Sequence, residues 1–195
     1  IAILVTALLL KALGAAGYGL WMMILMMSFE RGYMAILDFG HGTAALQQLA
    51  VGSNQQRVRV KRELRRKYLI FSTLGIFVLL TGGRYFLDRI ASGVASGDLW
   101  LFTIFMCVRL PIDMLHMANI ADLESRARYP LIRLIQLIGN LLWLITALAA
   151  SQFGLSVKFI AGVFLLIGVL QLTISSVVTS VRDRGFDFEI TGFPT

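Results

Sequence analysis

Six stretches of the chain are almost continuously apolar, at residues 1–13, 18–37, 68–87, 99–120, 130–150 and 159–180, and polar links separate them. A bilayer's hydrocarbon core is about 30 Å thick, so roughly 20 helical residues cross it. The pattern therefore predicts an all-α membrane protein, a bundle of six transmembrane helices. Gly14, Ala15, Ala16 and Gly17 leave room only for the tight turn of an antiparallel helical hairpin. Residues 38–67 form a long link that starts as continued helix over 43–49 and then turns polar. Gly82, Gly83 and residues 92–98 loosen the third link, and Tyr129-Pro130 marks a helix restart, because proline is tolerated in a first turn. Gln152, Phe153 and Gly154 make the last short turn. Ten residues precede Lys11, only about 15 Å at helical rise. The first helix is therefore expected to begin earlier in the natural protein, and residues 187–195 have the look of a loop cut short.

Composition agrees with this division. The 195 residues are 57% hydrophobic and 15% charged, against about 25% charged in soluble domains, and the mean hydropathy is +0.78. A net charge of +7 is compatible with nucleic-acid binding, but seven of the eighteen basic residues crowd into 57–67 between two apolar runs. Such a run fits a cytoplasmic, headgroup-facing link better than a nucleic-acid surface. Arg57, Arg59, Lys61, Arg62, Arg65, Arg66, Lys67, Arg126, Arg128, Arg133, Arg182 and Arg184 fall on one side of the six-span arrangement; Lys11, Arg84, Arg89 and Lys158 fall on the other. That bias predicts cytoplasmic ends for the segment. Trp21, Trp100 and Tyr85 lie near the predicted outer boundary, where amphipathic rings favour headgroup depth, and Lys11 is expected to snorkel there. The lone cysteine, Cys107, excludes an internal disulfide and is expected to act as packing. No glycine-rich phosphate loop, His/Cys cluster or nucleophile–base pair occurs in the links. Catalytic residues, a metal and a cofactor are therefore not expected, and the chain is not expected to be an enzyme.

The charges inside the apolar stretches carry the functional question. Glu30 and Arg31 lie near the middle of the second stretch, and Asp38 follows Arg31 by seven residues, on the same helical face. Arg109, Asp113 and His116 are spaced i, i+4, i+7 in the fourth stretch, with Pro111 inside the stripe and Asn119 slightly off it. A proline there is expected to kink the helix. Gln136 and Asn140 follow at i, i+4 in the fifth stretch, and Gln171 in the sixth. A charge at the centre of a membrane helix costs about 2.5–3.5 kcal/mol on insertion scales, so these groups need partners, water or a function. Pairing of Arg109 with Asp113, and of Glu30 with Arg31 or a neighbouring helix, is one reading. A hydrated, partly cationic cavity between the second and fourth spans is the other. His116 is expected to hydrogen-bond a neighbour, and Gln136 and Asn140 fit interhelical glue equally well.

Two short motifs add a resemblance. Leu13-Gly14-Ala15-Ala16-Gly17-Tyr18-Gly19-Leu20-Trp21, then Leu37-Asp38-Phe39-Gly40-His41-Gly42-Thr43-Ala44, resembles the opening of polysaccharide transporters, the lipid-linked oligosaccharide flippases of the multidrug/oligosaccharidyl-lipid/polysaccharide (MOP) exporter superfamily. Arg128-Tyr129-Pro130 through Gly139-Asn140-Leu141-Leu142 is similar to their entry into the fifth span. The resemblance implies one six-helix lobe over 1–186, with 187–195 a cytoplasmic linker toward a missing C-terminal lobe or a second subunit. It implies an inner, plasma-membrane protein of a bacterium or archaeon. The implied substrate is a polyprenyl-pyrophosphate-linked oligosaccharide for surface polysaccharide, moved by alternating access, with membrane lipids as surroundings. Arg31 and Arg109, with Gln136 and Asn140, become the expected substrate-binding positions. Asp38, Asp113 and Glu30 become the expected ion-coupling positions. His41 stands where the family usually carries an apolar residue, which leaves any role for that turn open.

Three other readings compete. A flippase-derived lobe serving as a non-transporting scaffold would bury Arg109 against Asp113. A drug or cation antiporter of the same superfamily would favour carboxylates without arginines. A membrane enzyme acting on isoprenoid lipids would need acidic metal-binding clusters, and Asp122 with Glu124 is the only close acidic pair near the predicted cytoplasmic boundary.

Overall fold

The computed structural model describes residues 2–27, 38, 40–83, 85 and 96–183. Among them all regular structure is helical: α1 (Ala2–Met27), α2 (His41–Val51), α3 (Asn54–Val78), α4 (Ser96–Ser125), α5 (Tyr129–Phe153) and α6 (Val157–Asp183). A π-helical turn, Leu79–Gly83, continues α3.

Three of these helices are long and apolar enough to cross a membrane, over Leu99–Ser125, Tyr129–Phe153 and Lys158–Val181. They match the fourth, fifth and sixth predicted spans. The first three expected spans do not appear as such among the described residues, for separate reasons. In α1 the backbone breaks at Gly14, at φ 68° and ψ 178°, which glycine adopts without steric cost. The turn expected over four residues is this single residue, since Ala15, Ala16 and Gly17 are helical. Among the described residues the break divides α1 into helical pieces of 12 and 13 residues. The rest of the second predicted span, residues 28–37 with Glu30 and Arg31, lies outside the described residues, as do Arg84, Arg89 and the linker at 187–195.

The third correction concerns the basic link. Residues 57–67 are not loop but the first turns of α3. Gln, Arg, Lys and Glu are good helix formers, and Ser53 starts the helix with a capping box: its hydroxyl accepts from the Gln56 N–H, and the Gln56 side chain accepts from the Ser53 N–H. Lys61, Leu64, Tyr68, Ser72 and Leu79 are buried at spacings of three, four and seven, a single helical stripe. Of the span predicted over 68–87, residues 68–83 and 85 are described. Ser53→Ala is expected to lower stability by about 1 kcal/mol. A thermal melt of the detergent-solubilised protein checks this, and an unchanged midpoint would deny the cap a role.

Helix α4 is the hub. It packs on α2, α3, α5 and α6, whereas α1 packs mainly on α5. Its apolar window is 53% buried, against 28% and 33% for α5 and α6. It runs on through Pro111. Met106, Leu110, Met114 and Ala118 carry the core on its inner face, and Cys107 packs against that core as expected. Ile120 and Leu123 meet Ile132 and Ile135 of α5 in a second cluster. The link to α5 is tight enough to hold Ala127 at φ 54°, and Pro130 sits in the first turn of α5. Outward, Leu134, Leu137, Leu141, Ile145 and Leu148 form an exposed stripe on α5, spaced three or four apart, as hydrocarbon surroundings favour. Trp100 and Tyr85 are also exposed.

Candidate functional site, a polar seam between two apolar helices

The inner face of α4 changes character along its length. Beyond Arg109 it presents Arg109, Asp113, His116, Asn119 and Asp122, all buried. Steps of four, three, three and three residues keep them on one slowly rotating stripe. The facing stripe of α6 changes in the same sense, from Ile160 and Ala161 to Gln171, Ser175 and Thr179.

At the apolar end of the seam, Arg109 is 5% exposed. Its Nε lies 2.5 Å from Asp113 Oδ1, off the line of a hydrogen bond, so that contact is coulombic. Its Nη1 donates to the Phe164 carbonyl of α6, and its guanidinium carbon stands 4.2 Å from the Phe164 ring centroid. The guanidinium lies where a β-carbon on Gly168 would project, so the absence of a side chain at Gly168 makes the seat. The paired reading of Arg109 and Asp113 is the one observed. Neither the substrate-binding role expected of Arg109 nor the coupling role expected of Asp113 is needed to explain their burial.

One turn further, a hydroxyl joins two side chains of α4. Ser175 Oγ donates to the Leu172 carbonyl and accepts from Asn119 Nδ2 at 3.1 Å. His116 Nδ1 lies 3.0 Å from the same oxygen. Which of the two donates in the His116–Ser175 contact follows the imidazole tautomer. His116 thus satisfies a neighbour, as expected. Asn119 also donates to Ser176 Oγ at 2.9 Å and accepts from Arg65 of α3 at 2.5 Å. Beyond it, Asp122 is 1% exposed and receives two cations: Lys61 Nζ of α3 at 3.2 Å and Arg126 Nε at 3.1 Å.

The remaining expected site residues lie elsewhere. Asp38 accepts from the Tyr68 hydroxyl at 2.6 Å and from the Gly42 N–H at 2.8 Å, which ties the start of α2 to α3. His41 stacks on Phe71 with centroids 5.4 Å apart. Gln136 accepts from Arg133 Nη1 at 3.0 Å. Asn140 is half-buried on α5. Between them, Gly139 lets Gln171 approach to 2.5 Å of where its β-carbon would stand. Glu30 and Arg31 are outside the described residues, so the expected cavity between the second and fourth spans falls there too.

From the sequence, Lys61 and Arg65 read only as members of the basic run, Asn119 as a residue slightly off the stripe and Asp122 as half of an acidic pair, and Ser175 and Ser176 were not singled out. One signal was present: the i+3 steps from His116 to Asn119 and Asp122 match the i+4 steps from Gln171 to Ser175 and Thr179. Beside this end of the seam, α3, α4 and α6 enclose an open cleft of about 530 Å³. Among the described residues no group of three or more His, Cys, Asp or Glu is placed to hold a metal ion. No protein-family model, curated protein or solved structure matches the chain.

Proposed function

We propose that this chain is one six-span lobe of an exporter that carries polyprenyl-pyrophosphate-linked oligosaccharide across a bacterial or archaeal inner membrane, with both ends of the segment cytoplasmic. The observation that carries this reading is the seam: a helix apolar enough to cross a bilayer devotes one buried face to five polar or ionisable side chains. Each charge there costs about 2.5–3.5 kcal/mol unless partnered, so intramembrane ionisable residues point to function first. The motifs around Gly14 and Asp38 support the same family.

In this mechanism Arg109 and Asp113 fasten α4 to α6, so that the lobe moves as one body. Arg31, aided by Gln136 and Asn140, is left as the cation that meets the pyrophosphate and replaces part of its hydration with charge-assisted bonds. The isoprenoid tail stays in lipid, and rocking against a second lobe or subunit switches access. Glu30 and Asp38 are the candidates for ion coupling. In cells whose only copy of the full-length protein carries Arg31→Ala, surface polysaccharide is expected to fall about tenfold at unchanged membrane levels. Polymer at the wild-type level would remove the export reading.

The buried Arg109–Asp113 pair favours a second reading, a non-transporting scaffold subunit derived from such a lobe. That reading expects Arg31→Ala to leave polymer untouched and deletion of the chain to dissociate a larger membrane complex.

A further inference from the structure

The cleft beside the seam is lined by three basic side chains of α3, Lys61, Arg62 and Arg65. Lys61 also reaches Asp122 of the buried network. Among the described residues neither Arg62 nor Arg65 is paired with a carboxylate, and Arg65 is oriented by a neutral amide, Asn119. A guanidinium anchored through one nitrogen keeps its other N–H groups for a second acceptor. Ser176 adds a donor: its oxygen accepts from Asn119, so its own proton remains to be given. Thr179 and Ser180, which also line the cleft, return theirs to carbonyls of α6.

The rest of the lining is greasy. Val58 and Val177 border the cleft and are 44% and 52% exposed, and Leu115 and Leu172 complete its wall. Asn119 lies six residues before the end of α4, about 9 Å along the helix axis, so the arginine it holds sits near the depth of lipid headgroups. Basic pockets between membrane helices at that depth take up anionic headgroups.

We propose that this cleft binds the phosphate headgroup of a membrane lipid, with Arg62, Arg65 and Ser176 donating to the phosphate oxygens and the lipid chains lying along Val58 and Val177. The site is built from residues other than Arg31 and stands whether or not the chain exports anything. Asn119 is a positioning residue for it, holding Arg65 open toward the cleft.

The test is native mass spectrometry of the full chain in detergent, titrated with phosphatidic acid, with phosphatidylcholine of the same acyl chains, and with inorganic pyrophosphate. Phosphatidic acid is expected to bind at least tenfold more tightly than phosphatidylcholine. Arg62→Glu with Arg65→Glu should abolish that preference, whereas Arg59→Glu with Arg66→Glu, an equal charge change on the same helix outside the cleft, should preserve it. Equal binding of the two lipids, equal loss in both double variants, or pyrophosphate binding as tightly as phosphatidic acid would each overturn the proposal. Should the first double variant not fold, Arg62→Gln alone changes an exposed side chain and should weaken phosphatidic acid about threefold; unchanged binding overturns the proposal equally.

Discussion

Asp113→Ala is expected to destabilise the protein by about 3–5 kcal/mol, the usual cost of removing one partner from a buried ion pair. Among the described residues Arg109 then keeps its charge at 5% exposure with the Phe164 carbonyl and ring to answer it. Relaxation offers little relief, because the guanidinium is held between the Phe164 backbone and Gly168. Replacing both members, Arg109→Met with Asp113→Leu, is expected to recover most of the loss, since a well-packed apolar pair often equals or exceeds a buried ion pair in stability. Unfolding by graded addition of a denaturing detergent measures both variants. A single variant as stable as the wild type would show that the pair fastens nothing.

The second large effect is expected at Asp122. Its carboxylate joins α3 to α4 through Lys61 and braces the end of α4 through Arg126. Asp122→Ala leaves Lys61, 7% exposed, without that counter-charge, at an expected cost of about 3–5 kcal/mol. Arg126 adds less to the loss, because its side chain is 15% exposed and can turn outward. The consequence is local first: the start of α3 should loosen from α4, so proteolysis near Gly52 and Ser53 should accelerate together with a lower melting midpoint. Cleavage at the wild-type rate would mean that the clamp adds nothing to the apolar contacts of Leu64 and Tyr68.

The later half of the chain was legible from periodicity alone. Residues 99–120, 130–150 and 159–180 are mostly apolar runs with clear stops, and the helices found there extend the predicted ones by a few residues at each end. The earlier half misled for a physical reason. A run with Arg57, Arg59, Lys61, Arg62, Arg65, Arg66 and Lys67 resembles a link when hydropathy alone is read, yet its residues favour helix and its Val60, Leu64 and Tyr68 keep the helical period. At Gly14 composition pointed to a four-residue turn, but one glycine at positive φ suffices. The Arg109–Asp113 contact was readable, because i, i+4 on one helix fixes proximity. Contacts between helices were not, since whether Asn119 meets Ser175, or Lys61 meets Asp122, depends on the relative rotation and register of α3, α4 and α6. Those are set by packing, and sequence spacing constrains them weakly.

Helix α1 finds its main partner in α5, which begins about a hundred residues later in the chain. Ribosomes add roughly 5–20 residues per second, so during biogenesis the first helix waits on the order of 5–20 s before its neighbour has been made. Through that interval its inner face, with Leu9 at its centre, must be sheltered by lipid or by the insertion machinery. Closure of the α1–α5 contact is therefore a late event in assembly, and a chain halted before residue 129 leaves its first helix unclasped.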